Sequence, residues 1–278
     1  MDYGISGRVI VVTGGASGIG LAVAREAARN RAHVAILDSS AEQAEKVAAG
    51  LRAEGAIAAA RAIDVRDQAA CEQAAASVEE ELGPIDGIVA SAGVSRPEPA
   101  DIMSAETWDA VIGTNLSGMF FSVRPVAKRM IARRKGAIVA IASVDGMAGH
   151  AARSHYAASK HGVLGLVRSW AVEWGRHGVR SNAVAPGVVD TPLLATTVPP
   201  EHVQNAMIDR IPLCRFSKAS EQAHACLFLL SDGASYINGA TLVVDGGLTS
   251  GNFTRWNGGD YGSRAMMEKG LYGPPSAA

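Results

Sequence analysis

The chain has 278 residues, of which 48% are hydrophobic, so it is long enough for one large α/β domain or two small ones. A formal net charge of −1 excludes the basic surface with which proteins bind nucleic acids or anionic membranes. The three cysteines, Cys71, Cys214 and Cys226, lack metal-ligand spacing and predict a reduced, cytoplasmic compartment.

Short apolar runs alternate with longer helical patterns along the chain. Strands are predicted at 8–12, 33–37, 56–63, 86–90, 136–142, 179–185 and 241–245. Helices are predicted at 19–31, 40–54, 67–82, 104–133, 154–176 and 220–230. The strands are continuously apolar, as expected of strands that are covered on both sides. This alternation predicts an α/β fold with a doubly wound parallel sheet of about seven strands and helices on both faces.

A single domain is expected over residues 1–248, because no linker or internal repeat divides them. It includes a Pro- and Thr-rich segment at 187–218, which we predict to be a substrate loop. Residues 249–278 form a Gly-rich extension with scattered aromatic side chains, predicted to cover an interface or an active site. The N-terminal residues contain only a short apolar run, so neither a signal peptide nor a membrane span is expected.

The segment VVTGGASGIG at 11–20 follows the first predicted strand and opens the first helix. Gly14, Gly18 and Gly20 permit a tight turn and a close approach of the backbone to a pyrophosphate at the helix N-terminus. Their Gly-x3-Gly-x-Gly spacing is a variant of the dinucleotide fingerprint, and the same glycines also suit an ordinary strand-to-helix turn.

Asp38 ends the second predicted strand about 20 residues after the glycines, where an acidic side chain can accept hydrogen bonds from ribose hydroxyls. A carboxylate there would repel a 2′-phosphate, and the glycine loop contains no Arg or Lys. The sequence therefore favours NAD over NADP. The alternative is that Asp38 only caps the helix that starts near residue 40.

Tyr156 and Lys160 are spaced i and i+4 in the predicted helix 154–176, so the two side chains share one helix face. A lone Tyr-x-x-x-Lys is most often an ordinary exposed helix face. Together with the TGGASGIG loop, however, the chain resembles the short-chain dehydrogenase/reductase family over residues 5–248. The resemblance implies a single Rossmann-type domain.

The resemblance also implies the catalytic residues. Asn115 in IGTNLSG and Ser143, thirteen residues before Tyr156, match the family's asparagine and serine. The family's NNAG motif is present as Ala90-Ser91-Ala92-Gly93, with both asparagines replaced. By the resemblance, NAD is bound by Gly14, Ser17, Gly18, Ile19, Gly20, Asp38, Asp64, Val65, Ala92, Gly93, Tyr156, Lys160, Pro186, Gly187, Val189 and Thr191.

These residues suit hydride transfer without a metal. A phenol has a pKa of about 10, so we expect Lys160 and the positive nicotinamide ring to lower the pKa of Tyr156 and make it a general base. Ser143 would hydrogen-bond the substrate oxygen. Asn115 would hold a water that links Lys160 to solvent, as its counterpart does in similar enzymes.

The substrate pocket is predicted to include Val144, His150 and Ser154. The loop after Ser143 is small and mildly apolar, which favours a neutral secondary alcohol or ketone, cyclic or aromatic. An acyl-carrier or acyl-CoA ketoreductase and a non-catalytic NAD-sensing scaffold are the alternatives. The resemblance further implies a homotetramer with interfaces on the predicted helices 104–133 and 154–176.

Overall fold

The structure is a computed structural model and describes residues 3–197 and 207–251. A parallel sheet forms the centre of the protein. The strands are β1 (Val9–Thr13), β2 (His33–Asp38), β3 (Ala58–Ala62), β4 (Ile85–Ala90), β5 (Gly136–Ile141), β6 (Val179–Pro186), β7 (Val189–Asp190), β8 (Ser217–Lys218) and β9 (Thr241–Val244). Seven of them form one sheet in the order β3-β2-β1-β4-β5-β6-β9, and β7 pairs with β8. The predicted doubly wound sheet is confirmed.

Helices connect the strands and cover the sheet. The longer ones are α1 (Gly18–Arg29), α2 (Ala41–Ala53), α3 (Gln68–Leu82), α4 (Ala105–Ile112), α5 (Gly118–Arg133), α6 (Ser154–Trp174), α7 (Pro192–Thr197) and α8 (Ala219–Leu230). Short 3-10 turns occur at Val144–Gly146, Gly175–His177, Ile208–Arg210 and Asp232–Ala234. None of the helices in residues 3–197 and 207–251 is long and apolar enough to cross a membrane.

Each face of the sheet carries its own apolar core, which is why the strands lack polar alternation. On one face, α3, α5 and α6 contribute Val78, Val123 and Val163, all fully buried. On the other face, α1 and α8 contribute Val23 and Leu227, also fully buried.

The predicted helix 104–133 is not continuous. A π-helical segment at Gly113–Ser117 separates α4 from α5 and contains the buried Asn115. Gly118 follows it, and a Cβ atom there would lie 2.6 Å from Val65 Cγ2, so the chain is closely packed at the interruption. Helical periodicity alone does not reveal a π segment, because one extra residue in a turn changes the apolar pattern little.

The strand order reverses between β1 and β4, since β2 and β3 lie on one side of β1 and the later strands lie on the other. In open parallel sheets, ligands bind beyond the carboxyl ends of the strands at such a switch point. Residues 252–278 of the predicted extension and residues 198–206 of the predicted substrate loop lie outside the described residues, so the roles of both segments remain predictions.

Candidate active site

A cleft of about 770 Å³ lies at the carboxyl ends of the strands. Most of the predicted site residues line it, and they come from eight separate segments of the chain. These residues are Gly14, Ser17, Gly18, Ile19, Asp38, Asp64, Val65, Ala92, Gly93, Ser143, Val144, His150, Tyr156, Lys160, Pro186, Gly187, Val189 and Thr191. Gly20, Asn115 and Ser154 are not among the lining residues.

The glycine loop is packed so closely that Gly14 and Gly20 leave no room for a side chain. Gly14 has φ +63°, and a Cβ atom on it would lie 2.9 Å from the Cα of Ala92. Gly20 is buried behind the loop, where a Cβ atom would lie 2.2 Å from the Gly14 carbonyl oxygen. Gly20 therefore shapes the turn from inside and does not line the cleft.

The N-terminus of α1 is open to an anion. Ser17 precedes the helix, yet its side chain makes no capping hydrogen bond, and the first turn carries no acidic residue. The first backbone N–H groups of a helix without a side-chain cap are available to a phosphate, and the helix dipole favours negative charge there. This end of the cleft therefore fits the pyrophosphate of a dinucleotide.

Thr13 braces the turn in which the family asparagines are replaced. Its hydroxyl accepts hydrogen bonds from the N–H groups of Ser91 and Ala92, at 3.1 and 3.2 Å. The Thr13 side chain is buried between β1 and β4. Ala90-Ser91-Ala92-Gly93 is thus held to β1 without an asparagine.

Asp38 is fixed in place by backbone donors. One carboxylate oxygen accepts a hydrogen bond from Ala16 N–H and the other accepts one from Ser40 N–H, each at 3.1 Å. The cap of α2 is Ser40, whose hydroxyl accepts from Gln43 N–H. Asp38 is therefore not the cap residue, and its carboxylate faces the cleft beside the glycine loop.

Asp64, one of the residues predicted to bind NAD, forms a close ion pair with Arg66. The Arg66 Nη2 atom lies 2.6 Å from the Asp64 carboxylate. Hydrogen bonds from the Arg66 side chain hold the pKa of Asp64 below its usual value. Arg66 also lines the cleft. It was missed in the sequence because its pairing with Asp64 depends on a turn that the spacing does not specify.

Lys160 is buried, and its ammonium group donates a 2.8 Å hydrogen bond to the Ile141 carbonyl at the end of β5. The Nζ atom lies 5.5 Å from the centre of the Tyr156 ring, so the predicted pair does share one helix face. Burial lowers the pKa of Lys160 to about 8, while the charge of Asp145 acts in the opposite direction.

The net shift of the Tyr156 pKa is opposite to the expected one. Burial raises the pKa, and the nearby Asp145 carboxylate raises it further. A hydrogen bond with Ser143 and the charge of Arg153 lower it by less. The phenol thus stays protonated more strongly than a free tyrosine, because desolvation and a negative neighbour both disfavour phenolate.

Asn115 lies behind the cleft wall and is fully buried. Its amide oxygen accepts a 2.8 Å hydrogen bond from Val94 N–H, and its amide nitrogen donates to Val94 O and to Ser159 Oγ. A Cβ atom on Gly93 would lie 3.3 Å from the amide oxygen and 3.8 Å from Lys160 Nζ. Asn115 and Lys160 therefore approach Gly93 together.

A charged group that the sequence did not reveal lies beside Tyr156. Asp145 is buried two residues after Ser143, and its N–H donates a 3.1 Å hydrogen bond to Ser143 Oγ. The Asp145 carboxylate lies 3.3 Å from His150 Nδ1 and 3.9 Å from Arg153 Nη1. The sequence signal was its position two residues after the serine, in a loop that we treated as mildly apolar.

Ser154, predicted to line the substrate pocket, is exposed at the start of α6. It precedes Tyr156 by two positions, or about 200° around the helix, so the two side chains leave the helix on opposite sides. The next residue, His155, is buried and its Nε2 atom lies 2.8 Å from the Arg96 carbonyl, which agrees with a packing role.

The segment after β6, whose Pro186, Gly187, Val189 and Thr191 are predicted to bind NAD, also lines the cleft. A Cβ atom on Gly187 would lie 2.7 Å from Asp245 Cβ, so this turn requires a glycine. The methyl carbon of Thr191 lies 3.6 Å from the Cβ position of Gly18, which brings the segment after β6 against the glycine loop. Residues predicted to bind NAD, from the glycine loop and from the segment after β6, therefore line one cleft.

The sequence is similar to those of known oxidoreductases. The sequence model described as "Enoyl-(Acyl carrier protein) reductase" matches residues 14–249. D-threitol dehydrogenase from Mycolicibacterium smegmatis is 43% identical over 250 residues, covering 89% of this chain and 95% of that protein. Cis-4-hydroxycyclohexanecarboxylate dehydrogenase from Sinomonas cyclohexanicum is 42% identical over 255 residues, covering 90% of this chain and 100% of the other.

A similar solved structure is that of a gluconate 5-dehydrogenase from Burkholderia cenocepacia in complex with NADP and tartrate. It has a TM-score of 0.85 and 35% identity, and the match covers 88% of this chain and 96% of that one.

Proposed function

The chain belongs to the short-chain dehydrogenase/reductase family of oxidoreductases, and we propose that it transfers hydride between NAD and a neutral secondary alcohol or its ketone. The observation that carries this proposal is the meeting of Ser143, Tyr156 and Lys160 at one cleft that also contains an open helix N-terminus. Such an arrangement holds an alcohol oxygen next to a proton acceptor and a bound dinucleotide.

The preference for NAD rests on Asp38. Its carboxylate is held by two N–H groups next to the phosphate-binding turn and faces the cleft, where it would accept hydrogen bonds from ribose hydroxyls and repel a 2′-phosphate. The similar gluconate 5-dehydrogenase structure is in complex with NADP, so the assay tests both cofactors.

Each of the four residues predicted to be catalytic has its own role in transferring the proton or orienting the substrate. Bound nicotinamide supplies the carbon that accepts or donates hydride. Tyr156 takes the alcohol proton in the oxidising direction and returns it in the reducing direction. Ser143, already oriented by the N–H of Asp145, donates a hydrogen bond to the substrate oxygen. Lys160 favours the phenolate, and a water held at Asn115 connects its ammonium group to solvent.

We expect the substrate to be cyclic or aromatic. The loop between Ser143 and Arg153 places small side chains such as Val144, Ala148 and Gly149 on the cleft, which leaves room for a ring. The relative that acts on cis-4-hydroxycyclohexanecarboxylate bears its name for a ring alcohol. The D-threitol dehydrogenase is named for an open-chain polyol, so both classes belong in a substrate screen.

A homotetramer in the cytoplasm is part of the proposal. The predicted interface helices expose apolar side chains, namely Val172 on α6, with 82% of its surface accessible, and Trp108 on α4. Cys71, Cys214 and Cys226 are all free thiols, in agreement with a reducing compartment. Light scattering on the wild type and on Val172→Glu tests the assembly, and a monomeric wild type would contradict it.

The test of function is nicotinamide reduction across a panel of secondary alcohols, with NAD and NADP in parallel. We expect NAD-linked turnover that falls by about a thousandfold or more in Tyr156→Phe, because the phenol is the proton acceptor. NADH binding should persist in that variant, measured by fluorescence. Tight binding without turnover on any alcohol or ketone would support a nucleotide-sensing scaffold instead.

An acyl-carrier or acyl-CoA ketoreductase is the second candidate. The description of the matching sequence model, which names an acyl carrier protein reductase, favours it. A clear preference for NADPH and a 3-oxoacyl thioester in the same screen would replace the first proposal by this one.

A further inference from the structure

We propose that Asp145 and His150 form a binding site for a second hydroxyl group of the substrate, so that the preferred substrate is a vicinal diol. This inference rests on the proposed function and names the substrate class of the same cleft. It is carried by a buried carboxylate with too few hydrogen bonds, placed next to the reacting oxygen.

The Asp145 carboxylate accepts fewer hydrogen bonds than it could. Its side chain is only 11% exposed, yet among the described residues the one donor within hydrogen-bond distance of it is His150 Nδ1 at 3.3 Å, which is long. Arg153 Nη1, at 3.9 Å, is too far for a hydrogen bond. An ionised carboxylate accepts about four hydrogen bonds, and a buried one is rarely left with a single partner. The spare acceptor capacity opens onto the cleft that Asp145 lines.

The position of this carboxylate relative to the chemistry selects a neighbouring hydroxyl. Asp145 N–H bonds Ser143 Oγ, the atom that holds the reacting oxygen, and the Asp145 charge acts directly on Tyr156. A hydroxyl on the carbon next to the carbinol can therefore reach Asp145 while the carbinol oxygen stays on Ser143 and Tyr156. Its O–H would donate a charge-assisted hydrogen bond, which is stronger than a neutral one.

Two further features favour hydroxyl groups over other substituents. If His150 donates from Nδ1 to Asp145, its Nε2 atom is left as an acceptor, and the ring is 45% exposed toward solvent. The Ser95 hydroxyl, also on the cleft, is buried without a hydrogen-bond partner among the described residues. A substrate carboxylate would instead meet the negative charge of Asp145, which agrees with a neutral substrate.

The experiment compares paired substrates that differ by one hydroxyl. We would measure kcat/KM with NAD for cis-cyclohexane-1,2-diol against cyclohexanol and for butane-2,3-diol against butan-2-ol. A site that hydrogen-bonds a hydroxyl rejects the analogue lacking it, so we expect the wild type to prefer at least one diol by about a hundredfold or more. In Asp145→Asn this preference should fall by about tenfold or more, as expected for loss of a charge-assisted bond.

Controls separate recognition from folding. Asp109→Asn removes an equally negative but exposed side chain of α4 outside the cleft, and it should leave the preference unchanged. His150→Ala, at an exposed position, should reduce the preference severalfold with an unchanged melting temperature. If Asp145 only holds its loop in place, Asp145→Asn will lower kcat/KM for diol and mono-alcohol equally, and this would overturn the inference.

The outcomes distinguish the inference from the proposed function. Turnover of both members of each pair at similar kcat/KM would refute the hydroxyl site and leave the alcohol dehydrogenase intact. Absence of turnover on every alcohol and ketone would refute both.

Discussion

The Lys160 ammonium group donates its 2.8 Å hydrogen bond to the main-chain carbonyl of Ile141, tying the first turns of α6 to the end of β5. Burial lowers the pKa of Lys160 to about 8, because removal from water disfavours the charged form and one neutral carbonyl does not compensate for it. The buried charge of Lys160 therefore lowers the free energy of unfolding, and this destabilisation can be measured.

The difference in stability between the wild type and Lys160→Met should depend on pH. The folded protein binds the Lys160 proton less tightly than the unfolded chain, whose pKa is the ordinary 10.5. Stability therefore rises with pH between about 8 and 10.5 in the wild type and lacks this contribution in the variant. Urea unfolding at pH 7.5 and 9.5 should show the wild type gaining roughly 2 kcal/mol relative to Lys160→Met. A constant difference would contradict the burial of a charged lysine.

The pH dependence of alcohol oxidation should reflect Asp145. Oxidation requires the Tyr156 phenolate, and the raised pKa of Tyr156 places the rising limb of kcat/KM at alkaline pH. Among the described residues, Asp145, Arg153 and Lys160 act on this phenol or lie over its ring, and His150 contacts Asp145. Asp145→Asn removes the negative charge, so the limb should move to lower pH. A limb that stays in place would show that Asp145 does not act on the phenol.

Thr13→Val tests the brace of the turn after β4. The variant keeps the shape of the side chain but leaves the N–H groups of Ser91 and Ala92 without their acceptor. We expect a loss of about 1–3 kcal/mol in the free energy of unfolding and weaker NADH binding. Thr241→Val on the edge strand β9, where the hydroxyl has no hydrogen-bond partner among the described residues, should change stability by less than about 0.5 kcal/mol.

Two glycine substitutions should change the free energy of unfolding in opposite directions. Gly20→Ala places a methyl group 2.2 Å from the Gly14 carbonyl oxygen, a backbone atom that cannot rotate away, so unfolding should become easier by about 2 kcal/mol or more. Gly50→Ala, in the exposed interior of α2 with no atom within 4 Å of the new Cβ, should stabilise the protein by about 0.5–1 kcal/mol. Thermal unfolding of both variants checks the pair, and equal effects would contradict it.

Asp38→Asn tests the choice of cofactor. The amide keeps an oxygen for one backbone N–H but removes the charge that would repel a 2′-phosphate. The ratio of kcat/KM for NAD to that for NADP should fall by about tenfold or more, the equivalent of about 1.4 kcal/mol. Asp64→Asn, at the other carboxylate predicted to bind NAD, should change this ratio less, because Arg66 already neutralises Asp64.

The bounds of the elements were largely predictable because each strand is a short apolar run between turn residues. The strands β1, β2 and β4 begin and end within one residue of their predicted positions. The interruption at Gly113–Ser117 was not predictable, since it is set by the hydrogen bonds of Asn115 to Val94, 21 residues away. The same holds for Thr13, whose partners follow it by 78 and 79 residues.

The sequence by itself determined the positions of the strands and helices, the glycine loop and the spacing of Tyr156 and Lys160, because these depend on the pattern of residues a few positions apart. The tertiary structure alone decided the environment of those residues. Burial and Asp145 raise the pKa of Tyr156, although the sequence favoured a lowered one. A pKa depends on the solvation and charges around a side chain, and these are fixed only when β5, the loop after Ser143 and α6 pack together.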